Sequence, residues 1–139
     1  MYEGTSFGKT VDLLKRSMDV SVLRRDVITN NMANAEVPNF KRTDVNFESF
    51  LGRALASEDY KPALELATTD ERHIPLWRPT DWRTIGPRRV LDYLSTSKAN
   101  GNNVDPEREL MDSLNNQLMY TLMSQAANNE FQQVNLVLR

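Results

Sequence analysis

Between Ser6 and Ala35 the apolar side chains recur at three- and four-residue intervals, at Phe7, Val11, Leu14 and Met18 and again at Ile28, Met32 and Ala35. Ser21 and Arg25 stand at the two intervening places where the period asks for apolar groups. A second stripe, Leu13, Val20 and Val27, runs beside the first, and after Gly8 the stretch holds neither glycine nor proline. The pattern predicts one long amphipathic helix over 6–36. Pro38 ends it, because proline disfavours the helical conformation at Val37 and brings no N–H to continue the ladder.

A matching signal closes the chain. Asp105-Pro106-Glu107 offers a side-chain acceptor at the N-cap, a proline preset for the first helical turn and an acid at the positive end of the dipole. From Glu107 to Arg139 there is no glycine or proline, which predicts a helix over 105–139. Two adjacent apolar stripes drift around it. One holds Leu110, Met111, Leu114, Leu118 and Leu122; the other holds Met119, Met123, Ala127, Phe131, Val134 and Leu138. Leu110, Met111, Leu114, Leu118, Leu122, Phe131, Val134 and Leu138 are the packing candidates of this helix.

At about 1.5 Å per residue the two helices run to roughly 45 and 52 Å, matched closely enough to pair as an antiparallel hairpin or coiled coil. Residues 37–100 lie between them as a loop-rich insert that includes Pro62, Pro75, Pro79 and Pro87. Within it Phe47 to Leu55 reads as one short helix, Trp77 to Pro87 reads as extended chain and turns, and a strand pair is compatible with the rest. The expected fold is therefore mainly α, a single elongated domain over 1–139. Composition supports a thin core: of 139 residues only 40% are hydrophobic, and mean hydropathy is −0.56. Such a chain is expected to be completed by partners.

Charge and candidate chemistry narrow the function classes. Lys and Arg number 17 against 19 Asp and Glu, a net charge of −2, and the basic pairs are scattered, so nucleic acid is not an expected partner. With no cysteine, thiol catalysis, disulfides and zinc ribbons are excluded. His73 is the single histidine, in the charged turn Asp70-Glu71-Arg72-His73, with no nucleophile motif to join it; a structural hydrogen bond is the plainer role. Glu58-Asp59 and Asp70-Glu71 read as solvated loop charges rather than an acid–base pair. Five glycines form no phosphate-cradling motif. No catalytic residue, metal ligand or cofactor is expected. Trp77 and Trp82 read as staples of the insert, and the methionines of the last helix as adaptable packing. The first residues lack the basic and apolar regions of a cleaved signal peptide, and no stretch is apolar enough to insert in a membrane.

The distinctive segment is Asn30 to Arg42. Asn31 and Asn34 share a helix face, where paired amides can cap the helix end or clamp a neighbour. Asn31-Met32-Ala33-Asn34-Ala35, followed by Pro38, Phe40 and Lys41, resembles the N-I/L-A-N-x-x-T-P-G-Y-K signature of bacterial flagellar axial proteins, the rod and hook family. Met32 stands for Ile or Leu, Val37 for Thr, Asn39 for Gly and Phe40 for Tyr. Phe47 to Leu51, Thr69 to Ile74, Gly101 to Asp105 and Glu109-Leu110-Met111 are similar, in the same order, to segments of the short proximal rod proteins of that family.

The resemblance implies a structural subunit of the flagellar basal-body rod, self-assembling with other axial proteins into the hollow drive shaft above the inner-membrane ring. It implies Asn31, Met32, Ala33, Asn34, Pro38, Phe40 and Lys41 as assembly residues, with Asn31 and Asn34 at the helix end that meets the next subunit. Implied partners are copies of itself, FlgC-, FlgF- and FlgG-type rod proteins, the FliE-type ring–rod junction protein, the MS ring and the flagellar type III export apparatus, with no nucleic acid and no direct membrane insertion. The implied location is the rod in the periplasmic zone, reached without a cleaved signal peptide. Two other readings share features of the sequence: an FlgC-type second proximal rod subunit, and a soluble helical-hairpin adaptor. A hydrolase would depend on His73.

Overall fold

The computed structural model describes residues 5–60, 69–70, 72–73, 78–95 and 98–138. The elements run α1 (Ser6–Ala33), β1 (Thr43–Asn46), α2 (Glu48–Asp59), a 3-10 turn (Trp82–Thr84), β2 (Arg88–Leu91) and α3 (Pro106–Val137). They fall into two compact units, residues 1–45 with 89–139, and residues 46–88.

In the first unit α1 and α3 pair along their lengths. Their 28 and 32 residues correspond to about 42 and 48 Å. The order of contacts fixes the antiparallel sense: the rings of Phe7 and Phe131 meet edge to face at 5.8 Å, Asn116 Nδ2 donates to Ser21 O, and Asn31 meets Glu109. Each end is capped as its chemistry demands. Thr5 Oγ1 accepts from Gly8 N–H at 3.1 Å, and Asp105 accepts from Glu107 N–H at 3.1 Å with Pro106 opening α3.

The first helix stops three residues short of the predicted Glu36. Past Ala33 the chain tightens into turns, with Asn34, Ala35 and Val37 N–H donating to Asn31, Met32 and Asn34 O, and the carbonyl of Asn34, whose helical partner would be Pro38 with no N–H to give, accepts with that of Ala35 from the side chain of Asn102. The core of this unit is thin and built from short side chains, with Val20, Val27, Ile28, Ala35, Val45 and Val104 buried. Val20 and Val27 come from one predicted stripe of α1 and Ile28 and Ala35 from the other, so the seam between the stripes faces inward. Ser21, an interruption of the pattern, is buried because its hydroxyl donates to Ser17 O and its carbonyl accepts from Asn116. Arg25, the other interruption, points to solvent.

The strands β1 and β2 form a two-stranded sheet, and just beyond them Asp92 N–H donates to Arg42 O at 2.9 Å. One turn is held by a left-handed pair. Asn39 and Gly101 have φ of 60° and 79°, and a β-carbon at Gly101 would come 2.6 Å from Asn39 Oδ1. Gly101→Ala therefore combines backbone strain with a clash and should cost about 1–3 kcal/mol, read as a fall in urea midpoint at unchanged slope.

In the second unit α2 begins one residue later and runs four residues further than predicted. Phe47, Ala54 and Trp82 are buried. Ser57 Oγ ties α2 to the following chain by accepting from Thr80 N–H at 2.9 Å, and Asp81 caps the short turn at Arg83 N–H. Arg53 and Arg88 lie over the Phe50 ring at 4.7 and 4.8 Å. The burial of Trp82 agrees with its reading as a staple; Trp77, named with it, lies outside the described residues.

Candidate functional site

The signature segment leads into a buried polar node where the C-terminal end of α1, the start of β1, the turn before α3 and the first turns of α3 meet. Its members are Asn31, Arg42, Asn102, Asn103 and Glu109, all buried, with Asn31, Asn102 and Glu109 at 0% exposure. Polar groups so deep persist only when satisfied, and here nearly every donor and acceptor has a partner.

Asn31 serves as a backbone surrogate for β1. Its Oδ1 accepts from Thr43 N–H at 3.0 Å, and its Nδ2 donates to Thr43 O at 2.8 Å and to Glu109 Oε2 at 3.1 Å. Arg42 Nε donates to Glu109 Oε1, completing the carboxylate's second oxygen. The remaining guanidinium edge reaches Asp112 at 3.1 Å and Asp44 at 3.5 Å. Burial pulls the Arg42 pKa down, but the bond to Glu109 and the charges of Glu109, Asp44 and Asp112 outweigh it and hold the pKa above its ordinary value. The guanidinium is thus held in its charged form.

Two asparagines secure the turn before α3. Asn102 Nδ2 donates to the carbonyls of Asn34, Ala35 and Val37 at 2.9, 3.0 and 2.8 Å, and its Oδ1 accepts from Val104 N–H at 2.7 Å. Asn103 Oδ1 accepts from Arg42 N–H and its Nδ2 donates to Asp92 O, both at 2.6 Å. Lys41 Nζ donates to Gly101 O at 2.8 Å, and Lys98 Nζ to Ala35 O and Glu36. Beside the node, Asp92 accepts from the Ser95 hydroxyl and from the N–H groups of Ser95 and Leu94. These bonds, with the charge of Arg42, hold its carboxyl below the ordinary 3.8.

The structure separates the signature residues by role. Asn31 is turned into its own chain, with both of its amide atoms engaged within the fold. Asn34 is half-buried and bonds back to Asn30 O, an ordinary local cap. Lys41 joins the turn, Phe40 is half-buried, and Met32, Ala33 and Pro38 are exposed. Asn31→Ala should therefore cost about 2–4 kcal/mol, because it strands Thr43 and weakens the hold on Glu109, whereas Asn34→Ala should cost under about 1 kcal/mol; paired urea titrations separate the two.

The helix α3 presents a different face inward from the one its leucines suggest. Glu109, Asp112 and Asn116, spaced by three and four residues, face inward, Glu109 and Asn116 onto α1 and Asp112 onto Arg42. Leu110, Met111, Leu114, Leu118, Leu122, Phe131 and Leu138 are exposed by 48–78%, and Val134 is half-buried. Arg42, Glu109, Asn102 and Asn103 were not singled out as site residues from the sequence. The signal for them was the polar spacing on α3 and the Asn pair after the Gly101 turn, read together.

His73 is exposed, and its backbone N–H donates to Asp70 O. Among the described residues no group of His, Asp and Glu is placed to hold a metal ion, and no helix is long and apolar enough to cross a membrane.

No protein-family model matches the chain. It is, however, 40% identical over 133 residues to the flagellar basal body rod protein FlgB of Borreliella burgdorferi, covering 96% of this chain and 98% of that one. The FlgB of Borrelia hermsii is 38% identical over the same shares, and that of Bacillus subtilis is 29% identical over 95% of each chain. The similarity spans both terminal helices and everything between them, and on that whole-length identity the chain belongs to the FlgB family of flagellar basal-body rod proteins.

Proposed function

We propose that the chain is a non-catalytic structural subunit of the proximal rod, assembling with copies of itself and with FlgC-, FlgF- and FlgG-type rod proteins into the hollow shaft above the inner-membrane ring. The FliE-type junction protein and the MS ring are its neighbours below. It reaches the periplasmic zone through the flagellar type III apparatus. The observation that carries this reading is the exposed apolar run of α3, from Leu110 to Leu138, which includes Leu118 at 64% and Leu122 at 59%. Intramolecular pairing uses another face of the same helix, so this one is left for other subunits.

Electron cryotomography of cells lacking the gene tests the proposal. Rings without a rod, restored by complementation, are the expected result; intact rods in the absence of any second gene copy would refute it. A sharper arm uses Leu118→Asp with Leu122→Asp. Both positions are exposed, so the isolated chain should keep its stability to within about 1 kcal/mol while rods fail to form.

A further inference from the structure

The turn before α3 contains a reactive pair that the polar node does not use. Asn100-Gly101 is the one place in the chain where glycine follows asparagine. At such a pair the backbone nitrogen of the glycine, with no β-carbon beside it to obstruct the approach, attacks the side-chain amide carbon of the asparagine. The new C–N bond closes a succinimide ring, the peptide nitrogen loses its proton, and the amide nitrogen leaves with it as ammonia. Water then opens the ring at either carbonyl. One product is aspartate; the other is isoaspartate, whose main chain runs through the side-chain carboxyl and is longer by one methylene. The net change is uptake of water and loss of ammonia, with no oxidant or reductant required.

In the folded chain each reacting group is tied down. Gly101 N–H, the attacking group, donates to Lys98 O at 3.1 Å. Asn100 Oδ1, on the carbon to be attacked, accepts from Asn102 N–H at 3.1 Å, and Asn100 O accepts from Asn39 N–H at 3.1 Å. Lys98 N–H donates to Asn102 O at 2.9 Å and Lys41 Nζ to Gly101 O at 2.8 Å, so the turn is closed on both sides of the pair. Asn100 is exposed, so water reaches its side chain. The fold withholds from the reaction the freedom of the backbone, not the solvent.

We propose that Asn100-Gly101 is a deamidation site gated by the fold, closed while the turn is bonded to Lys98 and Asn39 and reactive in any chain that stays open. The two products then part on folding. Aspartate keeps the main chain and an oxygen to accept from Asn102 N–H. Isoaspartate puts an extra methylene between Lys98 and Asn102, whose main-chain bond fits the normal chain length, and so displaces the Asn102 side chain from Asn34, Ala35 and Val37. A chain that ages unfolded is thereby marked and kept out of the folded pool.

The full chain is aged at mildly alkaline pH, in buffer and in urea, and isoaspartate at position 100 is followed by peptide mapping and by labelling with an isoaspartate-specific carboxyl methyltransferase. Because the reaction requires opening, as hydrogen exchange does, the rate in buffer should lie at least about tenfold below that in urea. Asn39→Pro removes the N–H bonded to Asn100 O and cannot adopt the φ of 60° found there, so it should raise the rate in buffer about fivefold or more. When urea is removed from the aged sample, chains with aspartate at that position should refold and chains with isoaspartate should not. Asn100→Asp, which reproduces the first product, should leave the urea midpoint unchanged. Equal rates in buffer and urea, or no acceleration by Asn39→Pro, overturn the gate; isoaspartate chains that refold as fully as aspartate chains overturn the mark.

Discussion

Glu109→Ala should lower the unfolding free energy by about 3–5 kcal/mol, the largest loss expected from any single side chain here. Glu109 is fully buried and satisfies Arg42 through one oxygen and Asn31 through the other. Its removal leaves a buried guanidinium facing an empty space. Asp112 and Asp44 remain near Arg42, but both contact its solvent-facing edge and replace only part of what is lost. Because the penalty comes from the stranded charge rather than from the pair as such, Glu109→Leu combined with Arg42→Met should cost clearly less than Glu109→Ala alone. Urea denaturation of the three variants decides the matter. A single variant no worse than the double would mean that the node is wetter and weaker than its burial indicates.

The second large effect is expected at Asn102. Its side chain makes about three full bonds to backbone groups: two amide hydrogens are shared among the carbonyls of Asn34, Ala35 and Val37 just past α1, and the oxygen accepts from one N–H at the entry to α3. At about 1 kcal/mol for each typical bond and more for a group left buried and unpaired, Asn102→Ala should cost about 3–4 kcal/mol. Asn102→Asp tests which half matters. The carboxylate can still accept from Val104 N–H but has no hydrogen to give to Asn34, Ala35 and Val37, so it should be at least as damaging as alanine. Hydrogen exchange at Val104 would then stay slow in the aspartate variant and become fast in the alanine variant. Equal protection in both would show that the Val104 contact does not depend on this side chain.

The contrast between what the sequence displayed and what it concealed follows from how each signal arises. Helix existence is a local property. Asp105-Pro106-Glu107 announced α3, and the absence of glycine and proline carried both helices through their lengths. The end of α1 lies three residues before the predicted one because the chain tightens into i+3 turns ahead of Pro38, and the carbonyls left open there are met by Asn102, nearly seventy residues away, a partner that no local signal announces. The face of α3 was hidden for a different reason. Apolar residues are spread almost evenly around that helix, so periodicity marks no single side, and three polar residues at helical spacing outcompete the leucines for the inward position. Asn31 carried a recognisable signature, yet its chemistry alone could not distinguish a bond to its own strand from a bond to another chain. Arg42 looked like one of several scattered basic residues until Glu109 was placed beside it.

The pairing of Phe7 with Phe131 and of Asn31 with Glu109 also sets an order of events during synthesis. About seventy residues must leave the ribosome after α1 before α3 begins to appear, and the node cannot close until its first turns are made. At typical elongation rates of roughly 5–20 residues per second, α1 waits several seconds with its inner seam bare. A helix with so few buried residues and no partner is marginal on its own. A nascent chain of this design therefore stays open by default through most of its translation, and its folding is timed by arrival of the last helix rather than by any barrier within the first.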